Sequence, residues 1–217
     1  MGEIYFVRHG QASYGAADYD RLSPLGHQQS AWLGAHLATS AGGFDRVITG
    51  DLRRHRETLQ SMGQGFGSRD VATDARLNEM AFFAMERAWQ SQNEVAKPAT
   101  DIQAAHQFGQ IMAAWAADEI ADAPETFAGF QTRVLAALGD HAARDGKVML
   151  VSSGGPGGVI MRHVLGLSLA AMTDVILQTH NAAYCRYVVH PDRLRLLQFN
   201  AISHLEAPER QHAQTFL

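Results

Sequence analysis

The stretch FVRHGQAS, residues 6–13, decides the fold that we expect for this chain. It continues an apolar run, residues 4–7, which is typical of a short strand buried on both faces of a parallel sheet. The run ends at Arg8, His9 and Gly10, where polar and flexible residues replace apolar ones. Because ligands of open α/β sheets bind beyond the carboxyl ends of the strands, this position predicts a functional role for Arg8 and His9.

Composition favours a globular protein whose partners are neither nucleic acid nor membrane. The 217 residues are 46% hydrophobic, which suffices for one core, and the net charge of -4 indicates no broad basic surface. The single cysteine, Cys185, allows no intramolecular disulfide and fits a reducing compartment. Glu3 and Arg8 interrupt the N-terminal apolar run, so we expect no signal peptide and a cytoplasmic location. The histidines show no metal-ligand spacing, so we expect no metal.

Strands alternate with helices along the chain, which predicts an α/β fold. We expect a three-layer sandwich with a mostly parallel central sheet, one antiparallel edge hairpin and a helical lid insertion. Apolar runs at 44–49 and 147–151 supply further strands, and two runs joined at Pro191-Asp192 supply the hairpin. The Gly-Gly-Pro-Gly-Gly segment at 154–158 is predicted as a turn, with a helix that begins at Val159.

The domain organisation follows from the absence of a repeat or linker. We expect residues 1–217 to form a single domain, with a helical lid or subdomain at about 80–123. Periodicity is weaker at 81–99, which indicates a mobile lid or a surface excursion.

Three predicted strand ends carry groups that suit one multivalent oxyanion. Arg8 and His9 end the first strand, residues 49–54 follow the second and residues 152–155 follow the third. If these strands are parallel neighbours, their ends open onto one crevice. This crevice would contain arginines, hydroxyls, glycine backbone and helix N-termini, all of which favour the binding of phosphate. A neutral His9 imidazole would be a nucleophile for phosphorus, and Glu79 would supply a proton to the leaving group.

With these features the chain resembles the histidine phosphatase superfamily, also called phosphoglycerate mutase-like. FVRHGQ resembles the RHG signature of that family. Later segments resemble its further motifs in the same order, and they are LSPLGHQQ at 22–29, DLRRHRET at 51–58, Leu77-Asn78-Glu79, residues 125–134 and VMLVSSGG at 148–155.

The resemblance implies an assignment for each site residue. His9 would carry a phosphohistidine, Arg8 and Arg54 would hold phosphate, and Glu79 would be the proton donor; spacing from Leu52 selects Arg54 over Arg53. Further phosphate contacts are assigned to Gly10, Ser153 and Gly154. Additional candidates for the site are Gln11, Ser13, His55 and His180.

The sequence departs from the family pattern at several positions. Ser153 stands where the family has its second histidine, Gly50 replaces a serine and His55 replaces an alanine. Gly15 replaces a frequent asparagine, and the residues after Glu79 lack the usual glycine. Loss of one preorganised donor costs about 2.7–4 kcal/mol in the transition state, a rate factor of roughly a hundred to a thousand. We therefore expect a slow or specialised phosphatase, and we expect Ser153→His to raise its rate.

Two alternatives to phosphomonoester hydrolysis stay open. Ser153 is also compatible with a non-catalytic phospho-ligand binding module, a pseudophosphatase that retains the arginine clamp. Phosphoglycerate mutase activity is a narrower alternative, which the missing second histidine disfavours. In each case we expect a small phosphorylated substrate or inorganic phosphate as the partner and no cofactor.

Overall fold

One mixed sheet of six strands forms the centre of the described structure, a computed structural model that covers residues 2–13, 19–63, 65 and 71–216. The strands are β1 (Glu3–Arg8), β2 (Arg46–Thr49), β3 (Val71–Thr73), β4 (Lys147–Ser152), β5 (Tyr184–Val189) and β6 (Leu194–Ala201). Their spatial order is β3-β2-β4-β1-β5-β6. The first four strands are parallel, whereas β5 and β6 form an antiparallel pair at one edge. This architecture confirms the predicted α/β fold.

The central strands bury both faces of the sheet, because successive side chains of a strand point to opposite sides. On β1, Ile4 and Phe6 face one apolar cluster, while Tyr5 and Val7 face another. All four are almost completely buried. Continuous apolar runs therefore produced the correct strand predictions for β1 and β4.

Helices cover both faces and complete the three layers. They are α1 (Pro24–Ser40), α2 (Arg53–Met62), α3 (Phe82–Asn93), α4 (Asp101–Ala116), α5 (Phe127–Ala142), α6 (Gly154–Leu165) and α7 (Leu169–Gln178). Helices α1 and α2 pack on the face that contains Tyr5 and Val7, and α3 to α7 pack on the other. None of the helices in the described residues is long and apolar enough to cross a bilayer.

The segment predicted as a lid contains α3 and α4, and both helices contribute to the main core. Met85 and Trp89 of α3 and Met112 and Trp115 of α4 are buried in the same apolar cluster as the sheet. The stretch of weaker periodicity at 81–99 contains helix α3, which buries Met85, Trp89 and Gln90.

Helix α6 corrects the prediction of a glycine turn at 154–158. The helix begins at Gly154, directly after Ser153, and not at Val159. Proline is tolerated in a first helical turn, because its missing N–H needs no partner there. Close packing explains a glycine: a Cβ on Gly157 would lie 2.8 Å from the Phe6 ring. Tertiary packing thus outweighs the low helix propensity of glycine.

Candidate active site

Three strand ends meet at one edge of the sheet and bring the predicted motifs together. Strands β2, β4 and β1 are adjacent and parallel, so Thr49, Ser152 and Arg8 end side by side. The residues that follow them place His9, Arg54 and Ser153 in one buried cluster. The geometry is that of a ligand crevice at the carboxyl ends of parallel strands.

His9 is held as a neutral imidazole with one defined nitrogen directed at an arginine. Its Nδ1 lies 2.7 Å from the Gly10 carbonyl oxygen, so Nδ1 carries the proton and donates it. Its Nε2 accepts a hydrogen bond of 3.2 Å from Arg54 Nε, so Nε2 keeps its lone pair. Burial first, and then the Arg54 and Arg8 guanidinium groups, hold the pKa of His9 well below its ordinary value. Nε2 is therefore the unprotonated ring nitrogen, and its lone pair is directed at Arg54.

Arg54 lies near the start of α2 and is only 6% exposed. Its Nη1 donates to Asp20 Oδ1 at 2.7 Å, and Asp20 Oδ2 accepts from the Arg53 amide at 2.8 Å. Asp20 therefore caps α2 and fixes the Arg54 guanidinium at once. The sequence analysis missed Asp20. One signal was present: Leu52, at the capping position of α2, has no side chain that can cap a helix.

Arg8 has only its Nε atom free for a ligand, because both of its terminal nitrogens donate to backbone carbonyl oxygens. Its Nη1 donates to the Thr179 carbonyl oxygen and its Nη2 to that of Phe216 at 2.7 Å. Its Nε is buried without a hydrogen-bond partner. A Cβ on Gly154 would lie 3.8 Å from Arg8 Nε, so this unpaired donor lies beside the start of α6.

His55 and Ser153 form a direct contact inside the cluster. His55 Nε2 lies 2.6 Å from Ser153 Oγ, and neither residue is exposed to solvent. Burial, followed by the charges of Arg54 and Arg56, holds the pKa of His55 well below its ordinary value, so the ring is neutral. His55 was one of several candidates from the sequence, and it is the one that the structure brings to Ser153.

Glu79 reaches the site from the segment that follows β3. Ser152 Oγ donates to the Leu77 carbonyl oxygen at 2.6 Å and thereby ties that segment to the end of β4. Glu79 Oε2 accepts from the Gly155 amide at 3.2 Å, and Oε1 accepts from the Met80 amide at 3.1 Å. Burial raises the pKa of Glu79, although Arg54 and these amides oppose the shift. The carboxyl group lies at the N-terminus of α6, beside the other site residues.

Gly10 and Gly154 differ in what their backbone offers. The Gly10 amide already donates to Thr58 Oγ1 at 3.1 Å, and a Cβ on Gly10 would overlap the Gly26 carbonyl oxygen. Gly10 therefore serves close packing against α1 and orients His9 through its carbonyl oxygen. Gly154, in contrast, places its amide in the first turn of α6, where the helix dipole favours an anion.

Gln11 and Ser13 lie on the chain beyond Gly10 and are engaged in local contacts. Gln11 Oε1 accepts from Ser23 Oγ at 2.8 Å, and Ser13 Oγ donates to the Leu22 carbonyl oxygen at 3.1 Å. Both contacts hold the loop to the start of α1. The departure at Gly15 lies outside the described residues.

His180 lies near Arg8 but not in the His9 cluster. Its ring centroid is 4.1 Å from that of Phe216, and its Nδ1 lies 3.3 Å from Asn200 Oδ1. Phe216 in turn accepts from Arg8 through its carbonyl oxygen. His180 therefore contributes to the wall behind Arg8.

Metal-ligating side chains do not cluster anywhere in residues 2–13, 19–63, 65 and 71–216: no group of three histidine, cysteine, aspartate or glutamate side chains there could hold an ion. The cluster offers instead a neutral imidazole, two guanidinium groups, a hydroxyl, a helix N-terminus and a carboxyl group of raised pKa. These groups suit binding of a tetrahedral oxyanion and transfer of its central atom.

Several solved structures share the fold of this chain. A mutant phosphoserine phosphatase from Entamoeba histolytica in complex with phosphoserine aligns with a TM-score of 0.68 at 17% identity, covering 94% of this chain and 100% of the other. A mycobacterial glucosyl-3-phosphoglycerate phosphatase gives 0.64 at 22%, covering 93% and 99%. A phosphoglycerate mutase from Bacillus anthracis gives 0.66 at 19%, covering 93% and 94%.

The family comparison settles membership. A search of proteins with curated descriptions finds no match. The family model described as "Histidine phosphatase superfamily (branch 1)" matches residues 4–202, nearly the whole chain. By fold and by sequence, the chain belongs to the histidine phosphatase superfamily.

Proposed function

We propose that the protein hydrolyses small phosphomonoesters through a phosphohistidine on His9. The observation that carries this proposal is the fixed tautomer of His9. Nδ1–H of His9 donates to the Gly10 carbonyl oxygen, and the Nε2 lone pair faces Arg54. A nucleophile with a defined lone pair, beside a guanidinium that stabilises phosphoryl oxygens, is the arrangement that phosphoryl transfer requires.

In the first step the substrate phosphoryl group takes the place of the Arg54–His9 hydrogen bond. Arg54 then donates to phosphoryl oxygens and releases the Nε2 lone pair of His9. The unpaired Nε of Arg8, the Ser153 hydroxyl and the Gly154 amide supply further donors. Nε2 attacks phosphorus, the P–O ester bond breaks, and the leaving alkoxide takes a proton from Glu79.

In the second step water removes the phosphoryl group. The Glu79 carboxylate takes a proton from the water molecule, whose oxygen attacks phosphorus as the P–N bond breaks. Orthophosphate leaves, and the electron pair returns to His9 Nε2. Throughout both steps the Gly10 carbonyl oxygen accepts from Nδ1–H and stabilises the positive charge of the phosphorylated ring. Glu79 ends protonated, ready for the next cycle.

Substrate identity is proposed only as a class. The structural neighbours are named for phosphoserine, glucosyl-3-phosphoglycerate and phosphoglycerate, which are small phosphorylated metabolites. These three compounds, together with p-nitrophenyl phosphate, form the first panel for assay.

The test is steady-state release of orthophosphate from this panel by the wild type and His9→Ala. We expect turnover by the wild type and a fall of about ten-thousand-fold or more in the variant, since a covalent nucleophile has no substitute. Arg162→Ala is the matched control, because Arg162 donates to the Leu167 carbonyl oxygen at the far end of α6. Equal turnover by wild type and His9→Ala would exclude the proposed mechanism.

One observation favours the alternative of a non-catalytic phospho-ligand binding module. The Arg54–Asp20 ion pair already occupies part of the clamp, and neither Ser153 nor neutral His55 adds a charge. This alternative predicts no turnover, together with protection of the fold against heat by orthophosphate. Phosphoglycerate mutase activity predicts interconversion of 3-phosphoglycerate and 2-phosphoglycerate that is faster than release of orthophosphate.

A further inference from the structure

Three departures from the family motifs, Gly50, His55 and Ser153, are linked by contacts through His55. His55 occupies a position where the pattern has alanine, and its ring reaches Ser153 Oγ at 2.6 Å. A Cβ on Gly50 would overlap His55 Nδ1, so the serine of the pattern has no room there. Gly50 thus leaves the space that the His55 ring fills. That ring contacts Ser153, which stands where the family has its second histidine. The three changes form one structural unit.

Hydrogen-bond accounting fixes the direction of the His55–Ser153 contact. His55 Nδ1 is buried without a partner. A neutral imidazole carries one proton, and an unpaired buried N–H is rarer and costlier than an unpaired acceptor. The proton therefore lies on Nε2, and His55 donates to Ser153 Oγ.

The Ser153 hydroxyl can then act only as a hydrogen-bond donor to a further group. Its Oγ accepts from His55 Nε2 at 2.6 Å and from Arg54 Nη2 at 3.5 Å, which fills both lone pairs. Its side chain does not cap α6, although it lies at the capping position. Among the described residues the Ser153 hydroxyl has no other hydrogen-bond contact, so its O–H is left for a group within the crevice.

The position of Ser153 matches that requirement. One guanidinium, that of Arg54, contacts both His9 Nε2 through Nε and Ser153 Oγ through Nη2. The rings of His9 and His55 are 5.8 Å apart between centroids. A tetrahedral group attacked by His9 Nε2 would thus lie beside both Arg54 and the Ser153 hydroxyl.

We propose that His55 is a positioning residue, which holds the Ser153 hydroxyl as an obligate donor to an oxygen of the transferring phosphoryl group. The pair replaces the histidine expected at 153, with the imidazole relocated from the end of β4 to helix α2. This inference rests on the proposed function of the same site. It replaces the expectation of a slow enzyme, because the donor lost at 153 is restored through a neighbouring element.

The decisive experiment compares His55→Gln with His55→Met. Glutamine can place an N–H near the position of His55 Nε2, whereas methionine fills a similar volume without a donor. We expect His55→Met to lower kcat for phosphomonoesters about a hundredfold with a smaller change in KM, and His55→Gln to retain kcat within about threefold. Thermal unfolding of both variants controls for folding. Equal losses in the two variants, or no loss in either, would overturn the proposal.

A second readout separates failure of this inference from failure of the proposed function. Orthovanadate adopts a geometry close to that of a transferring phosphoryl group, and its binding requires no turnover. We expect His55→Met to weaken vanadate binding about a hundredfold and orthophosphate binding less than tenfold, and His55→Gln to preserve both. Even a wild type without phosphatase activity gives this result if the positioning role is correct. Unchanged vanadate affinity in His55→Met contradicts it.

A combined variant tests whether the pair acts as a unit. Ser153→Ala in the His55→Met background is expected to change vanadate affinity by less than threefold beyond His55→Met alone, because either change removes the same donor. Additive losses from the two substitutions would show that the residues act independently and would refute the positioning role.

Discussion

The two halves of the crevice differ in how closely they follow the family pattern. The half formed by Arg8, His9 and Arg54 keeps the motif residues: Arg54 donates to His9, and the charge of Arg8 helps to lower the pKa of His9. The half formed by the end of β4 departs from it, with Ser153 in place of histidine. The departing half is nevertheless closely packed and hydrogen-bonded through His55. A missing motif residue is therefore weak evidence for a missing function when a neighbouring element fills its space.

The largest effect is expected in the half that keeps the motif. Arg54→Met should lower kcat/KM for phosphomonoesters about a thousandfold or more, because the guanidinium neutralises phosphoryl oxygens in the transition state. Arg54→Lys should recover little of this, since a lysine cannot reproduce contacts to His9, Ser153 and phosphate at once. Arg53→Lys, one residue away and exposed, is the matched control and should leave kcat/KM within about twofold. Full activity in Arg54→Lys would show that charge alone suffices.

Glu79 lies between the two halves, and its substitution is expected to have the next largest effect. Glu79→Gln should lower kcat about a hundredfold for an alkyl phosphate, whose leaving group needs a proton, and much less for p-nitrophenyl phosphate. A similar loss for both substrates would assign Glu79 a role other than proton donor.

The pH profile supplies a second test of Glu79. Because burial raises its pKa, the protonated acid persists above the ordinary glutamate value near 4.3. Activity that requires this proton is present below the pKa of Glu79 and is lost as pH rises through it. The wild type should therefore lose kcat for an alkyl phosphate on the alkaline side, and Glu79→Gln should lack that limb. An unchanged alkaline limb in the variant would place the titrating group elsewhere.

Substitutions at Ser153 and His55 test the half of the crevice that departs from the family pattern. Ser153→His alone should lower the rate about tenfold, since a second imidazole would overlap His55, whose Nε2 lies 2.6 Å from Ser153 Oγ. This contact reverses the increase expected from the sequence. The double variant His55→Ala/Ser153→His, which restores the family residues at these two positions, should recover activity relative to either single variant. Recovery is measured as kcat/KM; a double variant no better than Ser153→His would show that the two sites are not exchangeable.

The smallest effect concerns stability of the segment that carries Glu79. Hydrogen bonds from Arg76, and then from His141, lower the pKa of Asp74 to about 2. An aspartate pKa depressed from its unfolded value stabilises the fold above about pH 4, and this contribution is lost as pH falls toward 2. Asp74→Asn should lower the free energy of unfolding by about 2 kcal/mol at pH 7, as measured in urea.

Asp140→Asn is the control for that measurement. Asp140 pairs with the same Arg76 guanidinium, but its side chain is 66% exposed. Its loss should change the free energy of unfolding by less than about 0.5 kcal/mol. If Asp74→Asn and the wild type differ equally at pH 7 and near pH 2, the pairing of Asp74 is not the source of the stability.

The sequence was sufficient where the chain order of motifs decides which residues come together. Apolar runs predicted β1 and β4, and the family spacing from Leu52 selected Arg54, which the structure places beside His9. The sequence was insufficient where a contact joins distant elements. The His55–Ser153 contact spans α2 and β4, and the Asp20–Arg54 contact spans a loop and α2, so no local pattern encodes either. Helix α6 was predicted to begin too late for the same reason. Its Gly155 and Gly157 pack closely against Glu79 and Phe6, which are distant in the sequence.

The central claim is that His9 carries the phosphoryl group, and trapping the covalent intermediate tests it most directly. The wild type is quenched in alkali during turnover of a radiolabelled phosphomonoester, and the labelled residue is mapped by peptide sequencing. We predict an alkali-stable, acid-labile label on His9 that is absent from His9→Ala. A label on Ser153, or one that persists in His9→Ala, would contradict the account.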